Sequence, residues 1–180
     1  MSLLASVFVA TSLDGYIARE DGSLDWLDDA NATVPDGEDC GYFSFMNSVD
    51  ALIMGRNTYE KVLSFGEWPY DKPVIVLSSR VLQIPDNLKD SVEHSAESPL
   101  ALYERLSSNG LSRIYIDGGI TIRRFLEAGL IDDLIITTIP VVLGKGIPLF
   151  VGLDKDILLK HIATKSYDFG FTQSTYEVVK

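Results

Sequence analysis

The chain has 180 residues, 46% apolar and 23% charged, a composition that excludes a disordered or fibrous protein. The length fits a single domain spanning residues 1–180, large enough to bury a core without disulfides or metal. The net charge of −11 would repel a phosphate backbone, so no nucleic-acid partner is expected.

Cys40 is the only cysteine, which rules out an intrachain disulfide and fits a reducing compartment. No apolar run is long enough to span a bilayer, and Met1–Ser6 lacks the basic start of a signal peptide. The expectation is a soluble, cytoplasmic protein with no membrane partner. Charge is uneven: from Asp14 to Asp39 nine acids face Arg19 alone, so this segment carries −8 of the total. It reads either as a solvated loop or as a pocket rim that disfavours anionic substrates.

In chain order, Leu4–Ala10 is short, apolar and rich in Val and Phe, and predicts a buried strand. Asp14-Gly15 and Asp21-Gly22 are turn signals. A helix is expected from about Asp39, with Phe43 and Met46 on its inner face. Ala51–Met54 is a second buried strand, Thr58–Leu63 a helix and Val74–Leu77 a third strand. Ser98-Pro99 starts a helix whose apolar spacing runs over Leu100–Leu106. Ile114–Ile116 is another strand, and Gly118-Gly119 leads into a helix through Leu126. Leu134–Leu143 is a long apolar strand whose Pro140 predicts a bulge or an edge. Ile157–Tyr167 and Thr172–Val179 form a hairpin about Asp168-Phe169-Gly170.

This alternation predicts an α/β fold: a mostly parallel sheet with helices on both faces and a C-terminal antiparallel hairpin. Ligands of such sheets bind at the carboxyl ends of the strands. Three loops fall there: Gly55-Arg56-Asn57-Thr58, Ser78-Ser79-Arg80, and Asp117-Gly118-Gly119-Ile120-Thr121. Glycine lets a backbone approach a ligand, and helix N-terminal amides attract phosphate oxygens. Arg56 and Arg80 add cations, so together the loops suit a dinucleotide carrying an extra phosphate. Gly-x-Gly-x-x-Gly is absent, so this is not a standard Rossmann domain.

The sequence resembles a known superfamily. Met54-Gly55-Arg56-Asn57-Thr58-Tyr59-Glu60 is similar to the Met-Gly-Arg-x-Thr-aromatic-Glu signature of dihydrofolate reductases, and Asp117-Gly118-Gly119 to their second glycine pair. Thr11–Ala18 and Leu143-Gly144-Lys145-Gly146-Ile147-Pro148-Leu149-Phe150 resemble the reductase domain of bifunctional riboflavin-biosynthesis enzymes. The resemblance implies a dihydrofolate reductase-like fold and an NADPH-dependent oxidoreductase. It implies that Gly55, Arg56, Asn57 and Thr58 bind cofactor phosphates. Ser78, Ser79 and Arg80 would surround the adenosine 2′-phosphate, and Gly118, Gly119, Ile120 and Thr121 would form the pyrophosphate turn. Ala10 and Ile17 would lie near the nicotinamide. A dihydrofolate reductase carboxylate stands sixteen residues before the glycine of Met-Gly-Arg, which here is Asp39, with Phe43 as a substrate-contacting aromatic.

Departures from both patterns leave the substrate open. Ser23-Leu24-Asp25-Trp26-Leu27-Asp28-Asp29 lacks the arginine that follows the corresponding segment of riboflavin reductases, and dihydrofolate reductases lack the Gly-Lys-Gly-Ile-Pro run. The expected activity is hydride transfer to a small pterin- or pyrimidine-like heterocycle. The alternatives are a stand-alone 5-amino-6-(5-phosphoribosylamino)uracil reductase, or a non-enzymatic NADPH-binding module. Asp39 is the candidate catalytic residue, its pKa raised between Phe43 and Ala10, or else a helix cap. Asp14, Trp26 and Phe43 are candidate substrate contacts, although Asp14 also fits a turn and Trp26 a packing role. Cys40 reads as a small buried apolar residue. No metal site is expected from His94 and His161. Leu134–Leu143, apolar on both faces, and Leu149-Phe150-Val151 point to a homodimer, as does the resemblance.

Overall fold

The computed structural model describes residues 2–180. The chain runs β1 (Leu4–Ser12), β2 (Tyr16–Ala18), α1 (Asp25–Asn31), α2 (Tyr42–Ser48), β3 (Ala51–Gly55), α3 (Arg56–Leu63), β4 (Val74–Leu77), a 3-10 turn (Asp86–Leu88) and β5 (Val92–Ser95). It continues with α4 (Pro99–Ser108), β6 (Arg113–Asp117), α5 (Gly119–Glu127), β7 (Asp133–Ile139), β8 (Ile147–Pro148), β9 (Leu159–Ser166) and β10 (Thr172–Val178). Eight strands form one sheet in the order β5-β4-β3-β6-β1-β7-β10-β9, and β2 pairs with β8 separately. The strands from β5 to β7 are parallel, and β10 and β9 add the antiparallel end.

Buried strands feed both faces because successive side chains alternate. Leu52 and Met54 of β3 pack with Phe45 and Met46 of α2 and Tyr59 of α3. Ala51 and Ile53 face the other way, toward Leu102 and Leu106 of α4 and Ile122 and Phe125 of α5. At the start of α4 the Ser98 hydroxyl accepts the Ala101 N–H at 3.2 Å, with Pro99 in the first turn. The parallel sheet, the helices on both faces and the final hairpin are as the sequence predicts. The hairpin turn is closed by the Gly170 N–H donating to the Tyr167 carbonyl at 2.9 Å.

Four expectations are corrected. Helix α2 begins at Tyr42, not Asp39, because Cys40 and Gly41 both adopt positive φ, 53° and 83°, which no right-handed helix can contain. Its inner face is Phe45 and Met46, whereas Phe43 is 71% exposed; residues two apart point to nearly opposite sides of a helix. The acid-rich stretch contains a helix, α1, with Asp25 and Asp28 in its first turn, where carboxylates oppose the helix dipole favourably. Strand β7 stops at Ile139, before Pro140, so the proline ends the strand instead of bulging it.

Candidate active site

The carboxyl ends of β4, β3 and β6 lie side by side, with Leu77 in register with Gly55 and Met54 with Asp117. Two helices start there. Helix α3 follows Gly55 and α5 follows Gly118, and neither has a side-chain cap. Among the described residues no side chain accepts from their first-turn N–H groups, the condition that makes a helix N-terminus an anion site. The two turns interlock. A Cβ on Gly118, which sits at φ +90°, would collide with Thr58 Oγ1, and one on Gly55 would lie 2.9 Å from Thr121 Oγ1. A Cβ on Gly119 would lie 3.1 Å from Ile17 Cδ1, which brings β2 to the same place. Gly55, Thr58, Gly118, Gly119, Thr121 and Ile17 thus converge. Asn57 and Ile120 are exposed at the mouth.

The two candidate cations differ. Arg56 donates through Nε to Glu60 Oε1 at 2.6 Å, one helical turn on. Arg80 is exposed and makes no ion pair among the described residues. Its backbone is held: the Ser78 hydroxyl accepts the Arg80 N–H at 3.1 Å and donates to the Arg80 carbonyl at 2.8 Å. Ser79 is exposed beside it.

On the substrate side the structure corrects several assignments. Asp39 is exposed, and its carboxylate accepts the Phe43 N–H at 2.7 Å and the Gly41 N–H at 2.9 Å. These bonds hold its carboxyl below the usual range, the reverse of the desolvation expected between Phe43 and Ala10. Phe43 points to solvent. The Asp14 carboxylate accepts from the Ser12 hydroxyl at 2.7 Å, Leu143 N at 3.1 Å and Gly144 N at 2.7 Å. The Ser12 bond, then the two amides, bring its pKa down to about 2, so Asp14 fastens the β1–β2 turn to the segment after β7. Trp26 is 4% exposed and packs with Cys40, Ile139 and Phe171. It is a core residue, which corrects its assignment as a substrate contact. Ala10 borders this cluster.

A different carboxylate occupies the crevice. Asp117 ends β6 next to the glycine pair. One of its oxygens accepts the Gly118 N–H at 2.8 Å, and no cation pairs with it among the described residues. Burial pushes its pKa up to about 6 against that single stabilising bond. Tyr42 and Tyr70 sense its charge: burial first, and then Asp117, raises both phenols above their ordinary value. Tyr42 lies edge-on to Phe8 with ring centroids 5.7 Å apart, and Tyr70 edge-on to Trp68 at 5.3 Å. Asp117 is thus a carboxyl without a counter-ion among the described residues, and its charge is felt by two tyrosines.

The model of the RibD C-terminal domain matches residues 5–171. The chain belongs to the RibD C-terminal domain family. It is 42% identical over 167 residues to the uncharacterized protein YwjB of Bacillus subtilis, covering 89% of this chain and 90% of that one. The crystal structure of a protein from Shewanella sp. PV-4, attributed to riboflavin biosynthesis, superposes with a TM-score of 0.92. It is 41% identical, with 98% of this chain and 99% of that one covered. A deaminase/5-amino-6-(5-phosphoribosylamino)uracil reductase from Thermotoga maritima shares the fold at a TM-score of 0.72 and 14% identity. The match covers 99% of this chain and 57% of that one.

Within this RibD C-terminal domain, the sequence reading located the glycine turns and missed the carboxyl. Asp117 had a signal of its own, as an acid closing the apolar run Ile114-Tyr115-Ile116 ahead of two glycines. Tyr42 and Tyr70, which sense its charge, had none, because they belong to α2 and to the segment before β4.

Proposed function

We propose that this RibD C-terminal domain is an NADPH-dependent reductase that transfers a hydride to a small pterin- or pyrimidine-like heterocycle. The observation that carries the reading is the pair of uncapped helix N-termini, α3 and α5, locked side by side through Thr58 against Gly118 and Thr121 against Gly55. Side-by-side amide arrays without side-chain caps suit a pyrophosphate. The residues present fit a dinucleotide: a Cβ would fill the space between the two turns, and Arg80 has no ion pair among the described residues at the next strand end.

The bound cofactor would supply the hydride. The chain's own residues then have distinct tasks. The first turns of α3 and α5 hold the pyrophosphate, and Arg80 with Ser78 and Ser79 takes the additional phosphate. Ile17 packs against Gly119 and shields the crevice from water. Hydride addition to the carbon of a C=N bond leaves a nitrogen that needs a proton. A carboxyl with a pKa of about 6 is partly protonated near neutrality and can donate it. In this reading Asp117 is the acid, and the rings of Tyr42 and Tyr70 would lie against a flat substrate.

A stand-alone 5-amino-6-(5-phosphoribosylamino)uracil reductase is the second reading, favoured by the relatives connected with riboflavin biosynthesis. Against it stand the −8 charge of residues 14–39 and, among the described residues, the absence of a cation paired with Asp117. A module that only binds NADPH is the third. Cytoplasmic location is part of the proposal; among the described residues no helix is long and apolar enough to cross a membrane. We also propose a homodimer, because every residue of the edge strand β9 is exposed and Leu158, Leu159, Ile162, Phe150 and Val151 stand exposed nearby in the chain. A panel of pterins and pyrimidines, with and without phosphate, followed by loss of NADPH absorbance, tests the activity. Turnover of an uncharged heterocycle supports the first reading, and turnover of the phosphoribosylaminouracil alone supports the second. Binding of NADPH with no turnover across the panel supports the third.

A further inference from the structure

Strand β5 carries a histidine that the reading above does not use. His94 is half-buried, in register with Val76 of β4, one strand away from the Ser78-Ser79-Arg80 turn. Its Nε2 lies 2.8 Å from the Ser78 carbonyl oxygen. A carbonyl can only accept, so Nε2 carries the proton and donates it. The Ser78 N–H donates in turn to the Ser95 carbonyl at 2.9 Å. Beyond Ser78 the β4 ladder has ended, and the turn is closed on itself by the two bonds between the Ser78 hydroxyl and the Arg80 backbone.

We propose that His94 is a positioning residue for cofactor selectivity: its bond to the Ser78 carbonyl fixes the turn that aims Arg80 at the additional phosphate of NADPH. The proposal rests on the NADPH reading of the site. Arg56 is less available for that role, because its Nε–H already donates to Glu60. Arg80 is a long flexible side chain on an exposed turn, and ordering it on a phosphate costs entropy. Part of that cost is already met when the backbone of Ser78 is pinned on one side by Ser95 and on the other by His94. The pyrophosphate amides of α3 and α5 lie on other strand ends and do not depend on this bond. Loss of His94 therefore weakens NADPH and leaves NADH nearly untouched.

The test is equilibrium binding of NADPH and of NADH to the unaltered protein, His94→Ala and His94→Gln, by calorimetry, together with the melting temperature of each ligand-free protein. One net hydrogen bond corresponds to roughly two- to twelvefold in affinity. His94→Ala should raise the NADPH dissociation constant within that range and change NADH less than about twofold. His94→Gln, whose amide can donate to the same carbonyl, should recover most of the preference. A preference unchanged in His94→Ala overturns the role of His94 and leaves the site intact. Equal losses for both cofactors, with a fall in ligand-free melting temperature, also overturn it, because the residue would then be only structural. Equal binding of NADPH and NADH by the unaltered protein removes the phosphate site, and the role of His94 with it.

Discussion

Gly118 and Thr58 meet where two helices begin: a Cβ on Gly118 would collide with the Thr58 hydroxyl oxygen, and Gly118 itself sits at φ +90°. Both facts forbid a side chain, and they join the turn after β3 to the turn after β6.

Gly118→Ala should therefore destabilise the protein by about 1–3 kcal/mol through backbone strain and overpacking. It should also weaken NADPH and NADH alike, since it forces apart the amides proposed to hold the pyrophosphate. Thermal unfolding without and with each cofactor measures both effects. A stable Gly118→Ala variant with undiminished cofactor binding would contradict the geometry.

The turn was legible in the sequence because its constraint is local: an apolar strand, two glycines, then a helix. The same holds for Ala51–Met54, Val74–Leu77 and Ile114–Ile116, whose continuous apolar runs need no tertiary information. Strand β5 was not legible, because exposed Glu93, half-buried His94 and Ser95 leave Val92 as its one apolar residue. Helix α1 was hidden for the opposite reason: its acids read as solvated loop, and only the burial of Trp26 shows where it packs. Asp39 and Asp117 illustrate the limit at the site. Spacing singled out Asp39, but the direction of Phe43 and the two backbone bonds to the carboxylate decide what that residue does. The surroundings that raise the pKa of half-buried Asp117 come from elements far away in the chain.

NADPH should bind better than NADH, by roughly ten- to a hundredfold, the range of a charged hydrogen bond worth ~1.5–3 kcal/mol. With Arg56 tied to Glu60, the preference falls mainly on Arg80. Arg80→Ala should remove most of it, and Arg56→Ala less. Shifts in melting temperature at matched cofactor concentrations report this directly, and equal shifts in the unaltered protein would sink the assignment.

Asp39→Asn should behave as a cap mutant. The carboxylate accepts the Gly41 and Phe43 amides at the start of α2, and its own pKa is lowered, so it holds no proton near neutrality. Asn can still accept one such bond, so the stability loss should be below ~1 kcal/mol. Turnover on whichever heterocycle is reduced should stay within a few-fold. A hundredfold drop in turnover, with cofactor binding retained, would return Asp39 to the chemistry.

Light scattering at micromolar concentration should return twice the mass of one chain. Strand β9 is an unpaired edge with all eight residues exposed, and long open edges in soluble proteins are normally covered. Ile162→Asp, placed on that strand, should shift the protein toward monomer without changing its fold by circular dichroism. A monomer in the unaltered protein at that concentration rejects the dimer.

Asp117→Asn should abolish the proton delivery and alter the pH dependence of stability in a defined direction. The carboxyl is raised from 3.8 to about 6 in the folded protein, so between these values the folded state binds more protons than the unfolded one. The contribution of Asp117 is thus fully favourable below pH ~4 and is lost as pH rises through ~6, a change of up to about 3 kcal/mol. The lowered carboxyls of Asp14, Asp25 and Glu97 act in the opposite sense, so the informative quantity is the difference between the two proteins. Relative to the unaltered protein, Asp117→Asn should gain stability between pH 4 and pH 7, because Asn cannot ionise in the apolar crevice. Turnover should fall at least ~10²-fold, the lower range for general acid catalysis, while NADPH still binds. In the unaltered protein the rate should decline above pH ~6 as Asp117 loses its proton, and that decline should be missing from the residual activity of Asp117→Asn. Normal turnover of the variant removes Asp117 as the acid, and a stability profile parallel to that of the unaltered protein removes it as a group of raised pKa.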